Sequence, residues 1–127
     1  MLLRIENLRT YFYSRSRRAF VRSVDGASLG VARGETLGVV GESGSGKTVA
    51  ALSAAGLVSG SPGVIGGRIE FDSRNLLDGL ERFVKVEERD GRVMAVEKDE
   101  SGWRRHSEGL MAGVRGKEIA IDRKSVV

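Results

Sequence analysis

The chain has 127 residues, 40% of them hydrophobic, and a formal net charge of +4, which suits one domain with a real core but is short for most nucleotide-driven machines. With no cysteine, disulfides and thiolate metal sites are excluded, and a single histidine, His106, argues against a histidine-built metal site. No apolar run is long enough to span a bilayer, and "MLLRIENLRT" places charges where a signal peptide needs an apolar stretch, so a cytoplasmic or cytoplasm-facing chain is expected.

Taken in chain order, "LLRIENL" (2–8) alternates apolar and polar residues as a strand does, and "TYFYS" extends it. Arg15, Arg17, Arg18 and Arg22 follow in "RSRRAFVR". Such a cluster could grip nucleic acid or anionic lipid. It carries no regular aromatic interleaving, which favours a solvated turn between strands. "FVRSVDGASLGVARGE" (20–35) alternates again and closes on a turn at Arg33-Gly34, and "TLGVV" (36–40) reads as a short buried strand. "TVAALSAAGLV" (48–58), rich in alanine and leucine, predicts a helix with Gly56 near its end. "SGSPGVIGG" (59–67) reads as a loop, and "RIEFD" (68–72) as another strand. Two valine-bearing runs about Asp90-Gly91 predict a hairpin. "WRRHSEGLMAGVRG" (103–116) predicts a helix weakened by Gly109 and Gly113, and "KEIAI" begins a further strand.

Between strand and helix lies "GESGSGKT", which fits G-x-x-x-x-G-K-[ST] with Gly41, Gly46, Lys47 and Thr48 at the fixed positions. Each requirement has a cause. The glycines permit backbone angles closed to other residues, so that successive N–H groups, here from Gly41, Glu42, Ser43, Gly44, Ser45 and Gly46, turn inward onto phosphate oxygens. The helix that follows aims its dipole and unpaired N–H groups at the same anion. Lys47 supplies a cation to the β- and γ-phosphates, and Thr48 offers its hydroxyl to Mg²⁺. Catalysis also needs an acidic residue beside the metal. Glu97 in "VMAVE" and Asp122 in "IAID" imitate one, but Glu97 heads a charged run and Asp122 has no following element to hold it.

"LLRIENLRTYF", "VRSVDGASLGVARGETLGVVGESGSGKTVAALSAAGL", "GGRIEFDSRNLL" and "RGKEIA" together resemble the opening of an ABC-transporter ATPase subunit of the branch that powers oligopeptide, dipeptide and nickel import. The resemblance covers about 1–77 and 114–120. It implies an α/β fold, the N-terminal part of a P-loop NTPase domain: an antiparallel β subdomain plus a strand, P-loop and helix, over residues 1–121. It further implies ATP and Mg²⁺ as cofactors at Gly41 to Thr48, with adenine stacked on Phe12, whose neighbours Tyr11 and Tyr13 are alternatives. The partners implied are membrane-spanning permease subunits and a second ATPase subunit, with no nucleic acid, on the cytoplasmic face of the membrane.

Two departures stand out. Residues 81–113 are longer than what the family carries between "NLL" and "RGKEIA", and 81–100 within them read as an inserted hairpin. After Ala120 the resemblance stops, before the glutamine, signature, acidic strand and switch histidine expected of the family, so no catalytic residue is assigned and no turnover is expected of these residues alone. One possible set of codons for the tail "DRKSVV" (122–127) resembles the start of a sequencing adapter, and the tail is expected to be non-native. Two other functions remain open: a small self-sufficient P-loop NTPase or kinase using Glu97, and a non-enzymatic phosphate-binding module whose basic segment 15–22 meets nucleic acid.

Overall fold

A computed structural model describes residues 1–38 and 46–120. Strand β1 (Leu3–Ser14) turns through four residues into β2 (Ala19–Val31), and the two pair antiparallel along nearly their whole length. Strand β3 (Pro62–Phe71) covers the other side of β1, and the two-residue β4 (Arg74–Asn75) pairs with its end, giving the order β2-β1-β3-β4. The alternation of β1 is broken between Ile5 and Leu8, where the ladders on both sides shift register. Asn7 sits there at φ 49, a left-handed conformation that asparagine tolerates better than most residues, and its N–H bonds to Ser28 Oγ at 3.0 Å. The bulge lets Ile5 and Leu8 face one core although they are an odd number of positions, three, apart.

Residues 59–67 correct the loop expected of them. From Pro62 onward they are β3, with Pro62, Gly63, Val64 and Gly66 opposite Phe12, Tyr11, Thr10 and Arg9. The glycines answer to the neighbouring strand, not to a turn. At Gly67, φ 110, a Cβ would stand 2.6 Å from the Asn7 carbonyl oxygen and 2.7 Å from Leu8 Cα. The bulge in β1 therefore requires a residue without a side chain opposite it.

Helix α1 (Lys47–Ala54) is shorter than the expected 48–58. Gly56 turns left-handed at φ 69, Leu57 N–H bonds to Leu52 O at 2.8 Å and Gly56 N–H to Ser53 O at 3.1 Å. This paired closure satisfies the last carbonyls and stops the helix. The helix lies on the sheet through a buried hydroxyl pair, Thr10 Oγ1 and Ser53 Oγ at 2.9 Å. Ser53 gives its only hydroxyl proton to Val49 O at 2.7 Å, so Thr10 must be the donor to Ser53. Around the pair, Ile5, Leu8, Val24, Ala54, Val64, Ile69, Phe71 and Leu76 form the core, joined by Met111 and Val114. Each large aliphatic side chain buried there contributes about 2 kcal/mol.

The strand expected at 36–40 is not formed in its described part: residues 36–38 are irregular and Leu37 is 43% exposed, while Val39 and Val40 lie outside the described residues.

A one-turn 3₁₀ helix (Leu80–Phe83) leads into the hairpin β5 (Val84–Arg89) and β6 (Arg92–Lys98), which turns at Asp90 and Gly91 with φ 52 and 74 as a two-residue hairpin requires. Helix α2 (Glu100–Met111) starts three residues before the expected 103 and ends before the expected 116. Asp99 caps it, accepting from Gly102 N–H at 3.0 Å, and the chain turns at Gly113, φ 78. His106 ties α2 to the preceding turn. Its Nε2 lies 2.7 Å from Asp78 O, which can only accept, so Nδ1 accepts from Arg82 at 3.1 Å. The strand expected from 117 reduces to one bridge, Arg115 with Ile119. Asp122 and the tail 122–127 lie outside the described residues.

Candidate functional site

The described part of the glycine loop, Gly46 to Thr48, is its helical end. Gly46 is the N-cap of α1 at φ 91, with Ala50 N–H bonded to its carbonyl at 2.8 Å. A Cβ on Gly46 would collide with the Ser23 carbonyl of β2, so the chain enters the helix in close contact with the sheet. Lys47 and Thr48 follow, both exposed, in a first turn that carries no acidic residue and no side-chain cap. The positive end of the helix dipole, a lysine and a hydroxyl thus meet at one point, an arrangement that fits an anion. Gly41, Glu42, Ser43, Gly44 and Ser45 lie outside the described residues.

The three aromatics near the end of β1 occupy different surroundings. Tyr11 is 1% exposed and donates its hydroxyl to Asp25 Oδ1 at 2.7 Å. Burial first, and the bond to Asp25 second, push its phenol up to about 12. Tyr11 is a core residue. Tyr13 is exposed and packs edge-to-face on Phe20 at 5.2 Å. Phe12 is half-buried, with its ring edge against Gly60 just past the end of α1. Gly46 leans on Ser23 and Val24 of β2, Val24 pairs with Thr10, and Phe12 pairs with Val21. The sheet register thereby brings Phe12 and the start of α1 to the same stretch of the β1–β2 ladder.

Other sequence candidates are scattered. Glu97 is exposed on β6 opposite Lys85, in the two-stranded sheet. Arg15, Arg17 and Arg18 are exposed in the β1–β2 turn, but Arg22 is drawn away to Asp25 at 3.5 Å and to Gly91 O of the hairpin at 2.5 Å. The basic cluster is therefore not one surface. Among the described residues no three acidic or histidine side chains converge as a metal site, and no helix is long and apolar enough to cross a membrane.

Lys98 shows what the sequence hid. Within "EKDE" it reads as an exposed charge, yet its Nζ donates to Pro62 O at 2.5 Å and Val64 O at 3.0 Å and stands 4.0 Å from the Trp103 ring centre. Burial pushes its amine down to about 8, against the opposing pull of Glu100. The contact fastens the hairpin to the part of β3 that β4 leaves uncovered.

The chain is similar to the oligopeptide transport ATP-binding protein AppD of Bacillus subtilis, 41% identical over 76 residues, covering 59% of this chain and 23% of that protein. It is 38% identical over 100 residues to a probable peptide ABC transporter ATP-binding protein, y4tR, of Sinorhizobium fredii, covering 78% of this chain and 29% of that one. It is 40% identical over 75 residues to the dipeptide transport ATP-binding protein DppD of Escherichia coli, covering 59% and 22%. The chain thus spans about a quarter of the length of these relatives. No solved structure matches it significantly. The family model described as ABC transporter matches residues 24–118, through the loop, α1, β3, the hairpin and α2, and the chain belongs to the ABC transporter family.

Proposed function

We propose that this chain is the ATP-binding portion of a peptide-type importer ATPase, with Gly41 to Thr48 as its phosphate loop. The observation that carries this reading is the start of α1. The left-handed Gly46, the exposed Lys47 and Thr48 and the acid-free first turn occupy the positions that complete the glycine-lysine-threonine pattern, in a chain of this family. Bound ATP with Mg²⁺ supplies the phosphoanhydride whose cleavage the whole subunit couples to transport. Toward it, Lys47 contributes a cation at the β- and γ-phosphates, Thr48 a hydroxyl to the metal, and the Gly41–Gly46 backbone its N–H groups. Phe12 offers an aromatic face to adenine. In the whole protein, permease subunits and a second ATPase subunit hold it at the cytoplasmic face of the membrane. The names of the relatives, which specify oligopeptide and dipeptide transport, support peptides as the solute class.

Titration of a fluorescent ATP analogue tests the reading. Lys47→Ala removes a charge-assisted contact worth about 1.5–3 kcal/mol, so the affinity falls by about ten- to a hundredfold. Equal affinity of the two proteins removes the role given to Lys47.

A further inference from the structure

Helix α1 presents little apolar surface to the sheet. Its buried residues are Ser53 and Ala54, with Val49 and Ala50 partly buried beside them. Apolar burial has no direction, so these small side chains do not by themselves fix the angle of the helix. Two points supply the direction. At the N-terminal end the Gly46 backbone lies against the Ser23 carbonyl of β2, too close for a Cβ. About two turns on, the Thr10 hydroxyl donates to Ser53 Oγ at 2.9 Å, with the two residues only 0% and 3% exposed. Among the described residues, no other residue from Thr48 to Ala54 bonds to the sheet.

Thr10 and Phe12 stand two apart in β1, opposite Val64 and Pro62 of β3, and so share the face of the sheet on which α1 lies. The segment leaving α1 returns to that face: Gly60 meets the Phe12 ring edge, and Tyr13 N–H bonds to Ser61 O at 2.9 Å. The Thr10–Ser53 bond therefore sets α1 against the strand that carries Phe12. Lys47 and Thr48 sit at the other end of the same helix. Without the bond α1 keeps its pivot at Gly46 and loses its second fixed point, so the direction in which Lys47 and Thr48 meet an anion changes relative to Phe12. We propose that Thr10 and Ser53 are positioning residues of the nucleotide site, holding α1 at the angle that lets one ATP reach Phe12 with its base and Lys47 and Thr48 with its phosphates. This role rests on the phosphate loop and Phe12 binding ATP as proposed.

The test titrates a fluorescent ATP analogue into the full 127-residue chain, with tripolyphosphate as its competitor. Thr10→Val keeps the shape of the side chain and removes the hydroxyl. ATP affinity should fall by about three- to tenfold, while tripolyphosphate, which touches only the loop, should stay within about twofold. Thr10→Ser keeps the hydroxyl and should hold ATP affinity within about twofold of the intact chain. In a Phe12→Ala background Thr10→Val should cost ATP nothing further, because the base contact that the helix angle serves is already gone. Ser53→Ala removes the same bond from the helix side with a better helix former, and should give the same pattern even if Thr10→Val does not fold. A purely structural role weakens both ligands together. Parallel losses, additive losses in the double variant, or ATP affinity unchanged in both Thr10→Val and Ser53→Ala would overturn the proposal. An intact chain that binds no tripolyphosphate would overturn the phosphate-loop reading itself, and this role with it.

Discussion

The four-stranded sheet with α1 and the hairpin β5–β6 are held in place by different forces. The first is packed: Ile5, Leu8, Val24, Val64, Ile69 and Phe71 are all buried between its elements. The hairpin strands carry no fully buried residue. They are fixed instead at a few polar points, the Arg22 bond to Gly91 O and the Lys98 bonds to Pro62 O and Val64 O. The packed region positions the start of α1, while the hairpin reads as an attachment to it. A buried core is a cooperative unit, whereas discrete surface latches can be removed singly.

Glycine substitutions should separate the two regions most sharply. Gly67→Ala forces a side chain into the Asn7 and Leu8 backbone at φ 110, and should cost about 3 kcal/mol or more, from overpacking and left-handed strain together. Gly91→Ala at φ 74 meets nothing within 4 Å and should cost only the strain, about 1 kcal/mol. Urea denaturation of both variants measures the difference, and similar costs would mean that the hairpin is as tightly integrated as the sheet.

The same contrast explains what could be read from the sequence. The hairpin was legible because its signal is local: Asp90-Gly91 supplies both positive φ angles by itself. The phosphate-loop pattern is local too, since its glycines and lysine answer to backbone angles and charge within eight residues. Strand β3 was misread at 62–67 because its glycines answer to a bulge some sixty residues earlier. Nothing in "SPGVIGG" states that. Lys98 was missed for the same reason, because its partners are set by elements distant in sequence.

On the ligand side, Phe12→Ala should weaken ATP by about tenfold while tripolyphosphate binding stays nearly unchanged, since stacking on a base contributes about 1–3 kcal/mol. Phe12 also touches Gly60, so a merely structural role would weaken both ligands in parallel. Parallel losses would place Phe12 in the packed region and take away its role as a base platform.

The Lys98 latch should give the hairpin a pH signature. In the unfolded chain its amine returns to the ordinary value near 10.4, whereas in the folded protein burial holds it at about 8. Between these values the unfolded state binds more protons, so the contribution of Lys98 to stability rises with pH across that window. Below about pH 8 both states are protonated and the contribution is flat. Lys98→Met should lose the rise, and comparing the two proteins by urea midpoint at about pH 7 and 9.5 cancels the other titrating groups. A stability difference between them that does not change with pH would show that the folded amine keeps its ordinary value.

The smallest effect should come from the hairpin itself. Residues 86–95, with exposed Glu87, Glu88, Asp90 and Met94, can be replaced by a short glycine-serine link that leaves Lys98 and Trp103 in place. The replacement removes the Arg22 bond to Gly91 O, a solvent-exposed contact, and no buried side chain. Arg22 keeps Asp25, and Asp25 keeps the Tyr11 hydroxyl, so the β1–β2 ladder beside Gly46 loses none of its own contacts. ATP affinity should therefore stay within about twofold of the intact chain, less than half a kcal/mol. A larger loss with the fold retained would mean that Arg22, released from Gly91, no longer holds β2 where Ser23 meets Gly46. In that case the hairpin would be part of the nucleotide site's support, and the division between a packed region and an attached one would fail at β2.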